Sequence, residues 1–201
     1  MPRTEEQLNH IRKEKKKLIL DTALELFATN GFHATSISQI TKKAGISKGL
    51  VYNYFESKND ILEEISQQAF DTIYSQFDLN HDGMLTKDEF IMFIRSTLQS
   101  THENRTFWKL YYALMFQPHM LESFSEKYSG RAQEITRMLH TFLQSEGSVD
   151  PDGDLMAISA LLKGTAVLLV TAPDFFPLAD FEEKTIAACF RLISRQPNKT
   201  N

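Results

Sequence analysis

Thr35–Lys58 reads Thr-Ser-Ile-Ser-Gln-Ile-Thr-Lys-Lys-Ala-Gly-Ile-Ser-Lys-Gly-Leu-Val-Tyr-Asn-Tyr-Phe-Glu-Ser-Lys. The spacing of its apolar residues predicts two short helices, and Gly45 between them supplies a tight turn. Ser36 or Thr35 can cap the first helix, and Ser47 can cap the second. We therefore predict a helix-turn-helix, in which the second helix leaves a polar face exposed.

The exposed face of this second helix carries residue types that contact DNA. Lys48 can reach a phosphate or a guanine edge, and Asn53 can pair with adenine. Lys58 can anchor a further phosphate beside the start of the next helix. Two short helices around a glycine also occur in small bundles that bind no DNA, so the spacing alone leaves both interpretations open. The predicted DNA-contacting residues are Thr35, Ser36, Ser47, Lys48, Gly49, Tyr52, Asn53 and Lys58.

Helical spacing of apolar residues continues along nearly the whole chain, and no segment alternates as a strand does. We predict an all-α fold in which a three-helix domain over residues 1–57 is joined by a long fourth helix to a helical bundle over 58–201. The predicted helices span residues 8–29, 36–44, 47–54, 58–77, 87–101, 104–116, 120–129, 131–146, 153–172 and 179–195.

The charge distribution favours a nucleic-acid partner for the N-terminal part only. The whole chain has a formal net charge of −4. Residues 1–60 contain 10 Lys or Arg and 7 Asp or Glu, whereas the rest of the chain has a net charge of −7. A basic region on an acidic body is expected when only that region meets phosphate, although a solvated lysine-rich helix has the same composition.

The remaining composition predicts a cytoplasmic, non-catalytic protein. A single cysteine, Cys189, excludes an internal disulfide. The most apolar segment, 157–172, contains Lys163 and is too short to span a bilayer. The sequence has no zinc-ligand spacing, no phosphate-binding glycine loop and no grouping of Ser, His and Asp, so we expect no enzyme.

Several short motifs of residues 10–65 together resemble the N-terminal domain of the tetracycline-repressor (TetR) family. This resemblance implies a homodimeric transcriptional regulator, usually a repressor, whose divergent helical C-terminal domain binds a small effector. Asn53 stands where that family often has histidine, which leaves the base preference open. The motifs are Ala23-Leu-Glu-Leu-Phe, Asn30-Gly-Phe, Thr35-Ser-Ile, Ile40, Ala44-Gly-Ile-Ser-Lys-Gly and Tyr52-Asn-Tyr-Phe-Glu-Ser-Lys.

A second motif, over residues 78–89, has the twelve-position pattern of an EF-hand calcium loop. Gly83 stands where the loop turns sharply, and Glu89 stands where a bidentate carboxylate closes the site. Residues 66–97 resemble an EF-hand in this respect, but the usual second loop is missing, so a lone site should bind calcium more weakly. The predicted Ca²⁺ ligands are Asp78, Asn80, Asp82, the Met84 carbonyl, Thr86 and Glu89.

An aromatic-rich helix and two apolar helices complete the predicted C-terminal domain. Aromatic stripes mostly fill cores, yet in a TetR-like body this region would lie beside a cavity for a small apolar or aromatic effector. In that family the last two helices, here about 153–172 and 179–195, form the dimer interface. The candidate effector-binding residues are Trp108, Tyr111, Tyr112, Met115 and His119.

The leading hypothesis is a dimeric repressor on a palindromic operator, with two recognition helices about one DNA turn apart. Effector binding would move the fourth helix, and calcium at the far end of that helix would stabilise the body or bias the switch. The alternative is a calcium-binding interaction protein whose N-terminal bundle does not contact DNA.

Overall fold

The computed structural model describes residues 4–74, 77–117, 120–175 and 177–193, and of residues 120–129 it describes the backbone alone. Within these ranges every regular element is a helix, which confirms the all-α prediction. The helices are α1 (Glu5–Asn30), α2 (Ile37–Ala44), α3 (Lys48–Tyr52), α4 (Lys58–Tyr74), α5 (Lys87–Glu103), α6 (Arg105–Met115), α7 (Met120–Ser145), α8 (Pro151–Thr171) and α9 (Leu178–Ile193).

Several predicted helix boundaries differ from those in the structure, and two of the differences have a clear physical cause. The predicted break near Gly130 does not occur, because α7 runs without interruption through that residue; a glycine inside a helix costs only about 1 kcal/mol relative to alanine. The predicted connection between the helices at 131–146 and 153–172 ends earlier, since α8 already begins at Pro151. Asp150 caps this helix, and proline suits its first position because the missing N–H has no partner there in any helix.

The chain divides into two compact units. The head unit comprises Met1–Ala69 with Leu110–Glu122, and the body unit comprises Phe70–Lys109 with Ser123–Asn201. Helices α4, α6 and α7 therefore each contribute residues to both units.

The head unit is built on α1, α2, α3 and the first part of α4. Its core consists of apolar side chains that are almost completely buried, and burial of such side chains is the main stabilising term in a small domain. Two capping boxes fix helix starts in this unit: Thr4 with Gln7 for α1, and Ser36 with Gln39 for α2. The buried core residues are Ile19, Ala23, Phe27, Ile40, Val51, Ile61 and Ile65.

The body unit packs α5 against α8 and α9. Phe90, Ile94, Leu98, Leu143 and Leu169 are almost completely buried in its core. The body core is thus aromatic and aliphatic, as the sequence pattern predicts.

Helix α8 is longer than the sequence pattern predicts. By length and composition alone its 21 residues could cross a bilayer. Ile158, Ala166 and Leu169 of this helix are buried within the body unit, so packing accounts for part of its apolar surface.

Candidate functional site

Helix α3 presents a polar face on the surface of the head unit. Ser47, Lys48, Gly49 and Asn53 are exposed, and Tyr52 is 54% exposed. The opposite side of the helix is anchored by Val51, which is fully buried. A five-residue helix has little stability alone, so this buried anchor and the Ser47 cap, which accepts a hydrogen bond from the Leu50 N–H at 3.2 Å, hold the face in place.

The turn before α3 depends on Gly45. This residue ends α2 in the left-handed conformation, with φ 66° and ψ 34°, and its N–H donates to the Thr41 carbonyl. Such a conformation is strained for residues with a Cβ. The turn fixes the angle between α2 and α3, and the two helices are in contact as the helix-turn-helix prediction requires.

Gly49 lies on the exposed face of α3. A Cβ added to this residue would have no neighbour within 4 Å. The fold therefore does not require glycine here, and the open backbone leaves room for a ligand to approach closely.

Thr35 is buried, contrary to the prediction that it contacts DNA. Only 2% of its surface is exposed. Its hydroxyl donates to the Gly31 carbonyl at 2.8 Å and to the Leu26 carbonyl at 3.2 Å. Sequence spacing could not separate it from Ser36, which is the residue that caps α2.

Lys58 is also held inside the head unit rather than turned toward a phosphate. Its Nζ donates to the carbonyls of Phe32, Thr35 and His33 at 2.6, 2.8 and 3.3 Å. The same ammonium lies 4.4 Å from the centroid of the Phe32 ring. Partial burial lowers the pKa of Lys58 below its ordinary value of 10.5. Lys58 thus joins the start of α4 to the loop between α1 and α2.

Gln117 makes a second internal link that sequence reasoning missed. Its side-chain Nε2 donates to the Phe27 carbonyl at 2.8 Å, and its Oε1 accepts from the Phe32 N–H at 3.1 Å. Both partners lie at least 85 positions away in the chain. No local pattern could have identified this contact, which joins the residues after α6 to the end of α1.

The predicted calcium loop has the turns that the motif requires. His81 and Gly83 have positive φ angles of 57° and 74°. The Gly83 N–H donates to Asp78 Oδ2 at 3.1 Å, and the Met84 N–H donates to Asp82 Oδ1 at 2.8 Å. The loop therefore bends its acidic residues toward their own backbone.

The carboxylates of this loop are not gathered into a coordination site. Glu89 caps α5 with Thr86, accepting from the Thr86 N–H at 2.9 Å and from its hydroxyl at 2.7 Å. These bonds hold the pKa of Glu89 below its ordinary value of 4.5. Among the described residues, no group of three or more His, Cys, Asp or Glu side chains is arranged to hold a metal ion. One carboxylate oxygen in the loop, Asp78 Oδ1, is buried and accepts no hydrogen bond from the part of the chain that the structure describes.

Comparison with known proteins finds a family match within the head unit. Residues 19–65 match the profile described as "Bacterial regulatory proteins, tetR family". The helix-turn-helix of this chain lies within this matched segment, which is called the tetR-family domain below.

Curated relatives match the chain mainly over this tetR-family domain. An uncharacterized HTH-type transcriptional regulator, YuxN of Bacillus subtilis, is 44% identical over 64 residues, which are 32% of this chain and 22% of that protein. The chain spans about a quarter of the length of the first curated relatives it matches, at 22%, 26% and 31%. A longer match, 27% identical, covers 62% of this chain and 65% of the biofilm operon negative transcriptional regulator IcaR of Staphylococcus epidermidis.

Solved structures show that the fold beyond the tetR-family domain is shared as well. A TetR-like transcriptional regulator from Rhodococcus sp. RHA1 superposes with a TM-score of 0.70 at 18% identity, covering 90% of this chain and 97% of that one. This likeness concerns the fold. The matched proteins are named as transcriptional regulators, so the comparisons do not favour the interpretation of the chain as a calcium-binding interaction protein.

The candidate effector residues are mostly core residues in the structure. Trp108, Tyr111 and Met115 are buried, with 1%, 7% and 9% of their surface exposed. Burial raises the pKa of the partly buried Tyr112 above its ordinary value of 10.0. His119 lies outside the described residues. The prediction that these residues bind an effector stays a prediction.

Two buried polar atoms in the body unit were not anticipated from the sequence. Thr97 Oγ1 and His102 Nδ1, both on α5, are buried and have no hydrogen-bond partner among the described residues. Buried polar atoms are nearly always hydrogen-bonded. At about 100° per residue, positions 97 and 102 lie about 140° apart around α5, so the two atoms do not form one site.

Cys189 does not have the environment of a nucleophile. Its side chain is buried, and burial raises the pKa of the thiol to about 11. The reactive thiolate is therefore scarce at neutral pH.

Proposed function

We propose that the chain is a cytoplasmic, homodimeric transcriptional repressor that binds operator DNA through α3 and responds to a small effector. The exposed polar face of α3, anchored by the buried Val51, carries this proposal. Lys48 and Tyr52 on that face supply a cation and a hydroxyl, the groups that contact phosphates and base edges. IcaR, a negative regulator by name, supports repression over activation.

Replacing both Lys48 and Tyr52 by alanine should abolish operator binding without loss of fold. Both residues are exposed, so truncation removes contacts to DNA and little else; each such contact is worth about 1–3 kcal/mol. The measurement is a gel shift against the DNA upstream of the protein's own gene. Alanine replacement of Lys109, exposed on α6, is the control. Unchanged binding of the Lys48, Tyr52 double variant would exclude α3 as the recognition helix.

We infer that the dimer forms through α8 and α9. These helices contact each other and enclose a shallow groove of about 320 Å³ on the body unit. Met156 and Leu168 of α8 are 72% and 39% exposed, and exposed apolar side chains of this kind favour an interface. Gly164, which lines the groove, permits close approach of a second copy. Two copies would place two α3 helices on a palindromic site.

Leu168→Asp should convert the dimer to a monomer. A charge buried without a partner at a helix interface costs about 2–4 kcal/mol, which weakens association by about 30- to 1,000-fold. Sedimentation velocity measures the state directly. Met92→Asp provides the matched control, because Met92 on α5 is 46% exposed and does not line the groove. A dimer that survives Leu168→Asp and dissociates with Met92→Asp would place the interface elsewhere.

The effector we propose is small and mainly apolar or aromatic. The body core supplies the apolar environment, and Thr97 Oγ1 and His102 Nδ1, on different faces of α5, are each a candidate to hydrogen-bond a polar group of the ligand. If such a ligand binds the DNA-free state of the dimer more tightly than the DNA-bound state, it shifts the equilibrium toward release of DNA.

A second proposed function is calcium binding at residues 78–89. The donor set suits calcium because it consists of oxygen atoms from carboxylates, an amide, a hydroxyl and a backbone carbonyl. The observation that favours it is Asp78 Oδ1, a buried carboxylate oxygen without a hydrogen-bond partner among the described residues. Such an atom is costly to bury unless a cation or a donor compensates it.

Calcium binding requires one rearrangement of the loop. Glu89 must release the N–H and hydroxyl of Thr86 to become a bidentate ligand. This competition, together with the missing second loop, predicts a weak site. The simplest role for the ion is structural, which is to stabilise the connection between α4 and α5. Operator affinity measured with calcium and with a chelator distinguishes this role from regulation, since a purely structural ion leaves the affinity unchanged.

A further inference from the structure

The N-terminal half of α1 extends beyond the tetR-family domain. The family match begins at residue 19, whereas α1 begins at Glu5. Residues 4–14 are exposed, apart from the half-buried Ile11. Isolated helices of this length are marginal in water, so a helical extension with so little packing suggests a surface that a partner covers.

Four basic residues share one face of this extension. At about 100° per residue, they fall within an arc of about 160° on the side that, farther along α1, packs into the head unit through Ile19, Ala23 and Phe27. The opposite side carries Glu14 and His10, which lie 3.3 Å apart. The four basic residues are Arg12, Lys13, Lys15 and Lys16. This set is called the basic face below.

Three cations of the basic face have no partner among the described residues. Lys16 pairs with Glu64 at 2.6 Å. Arg12, Lys13 and Lys15 make neither an ion pair nor a side-chain hydrogen bond with any residue that the structure describes. Like charges at this spacing repel one another. Binding of an anionic partner would therefore reduce the electrostatic repulsion among these cations.

The position of the basic face points to the partner. Lys16 Nζ lies 5.8 Å from the centroid of the Phe55 ring, and Phe55 follows α3 by three residues. From Arg12 to Lys16 the basic face extends about 6 Å, at 1.5 Å per residue. This length corresponds to about two phosphates along one DNA strand.

We propose that the basic face binds the phosphate backbone of duplex DNA beside the bases that α3 contacts. Such contacts are independent of sequence, so the extension contributes affinity and α3 contributes specificity. The inference rests on the proposed function, since it adds a second contact to the same duplex.

The test compares the salt dependence of binding to a duplex of arbitrary sequence. Arg12→Gln/Lys13→Gln should lower the slope of log affinity against log salt concentration by about 0.9 for each phosphate that the variant no longer neutralises. If the curves meet at 1 M salt, each neutralised phosphate is worth about eightfold in affinity at 0.1 M. Lys109→Gln/Arg137→Gln removes the same charges from exposed positions on α6 and α7 and should leave the slope unchanged.

The charge-preserving variant Arg12→Lys/Lys13→Arg should bind as the wild type does. A wild-type slope for Arg12→Gln/Lys13→Gln, with circular dichroism confirming its helix content, would overturn the inference. The proposed function would survive that result as long as the Lys48, Tyr52 alanine variant still loses operator binding. An equally reduced slope in the control double variant would also overturn it, because the effect would then reflect net charge alone.

Discussion

Lys58→Met should lower the free energy of unfolding of the head unit by about 2–4 kcal/mol. Methionine keeps the length of the apolar stem but cannot donate to the carbonyls of Phe32, Thr35 and His33. A hydrogen bond to a charged group contributes about 1.5–3 kcal/mol, and a carbonyl left without a partner adds a desolvation cost. The ammonium also leaves the face of the Phe32 ring. Denaturant unfolding followed by circular dichroism measures the difference from the wild type.

The same variant distinguishes a structural lysine from a phosphate anchor. A structural Lys58 predicts an unchanged salt slope for DNA binding by the folded variant, whereas a phosphate contact predicts a slope lower by about 0.9. Lys42→Met is the control for removal of a charge, because Lys42 on α2 is exposed. Wild-type stability together with a reduced slope would restore the sequence-based prediction that Lys58 contacts DNA.

Local signals made the helix-turn-helix predictable. The helix-turn-helix depends on features that act over a few residues. These are the turn at Gly45, the cap at Ser47, and the spacing of the buried Ile40 and Val51. Gly130 shows the limit of such signals. A glycine lowers helix propensity, but α7 continues through this residue because one glycine does not force a helix to end.

Long-range contacts explain what the sequence did not predict about the site. Thr35 and Ser36 are chemically similar neighbours, and only the fold decides that one is buried and the other caps α2. The carbonyls that accept hydrogen bonds from Lys58 lie 23 to 26 residues earlier in the chain. The sequence near Lys58 therefore gives no sign of them, and the residue was predicted to contact phosphate. Gln117 has no local signature at all, since its role depends on α1 passing beside the end of α6.

Glu89→Gln should remove the stabilisation by calcium while leaving the calcium-free protein folded. At 10 mM calcium, a site with a dissociation constant of about 10⁻⁴ M stabilises the wild type by about 2.7 kcal/mol. Glutamine lacks the charge and the second carboxylate oxygen needed to close the site. It still serves in a capping box, as Gln7 and Gln39 do at the starts of α1 and α2. Thermal unfolding with calcium and with a chelator measures the difference.

Asp88→Asn is the matched control for Glu89→Gln, because Asp88 is an exposed carboxylate in the same turn of α5 and occupies no ligand position. Asp88→Asn should keep the full calcium-dependent increase in stability. If that increase disappears in both variants, it reflects general charge screening.

The dependence of stability on pH provides an independent check of the role of Glu89. Since the pKa of Glu89 lies below 4.5 in the folded protein, its capping contribution is complete above that pH and is lost as the pH falls through the lowered value. The glutamine cap does not titrate, so Glu89→Gln should lack this acid-dependent loss even without calcium.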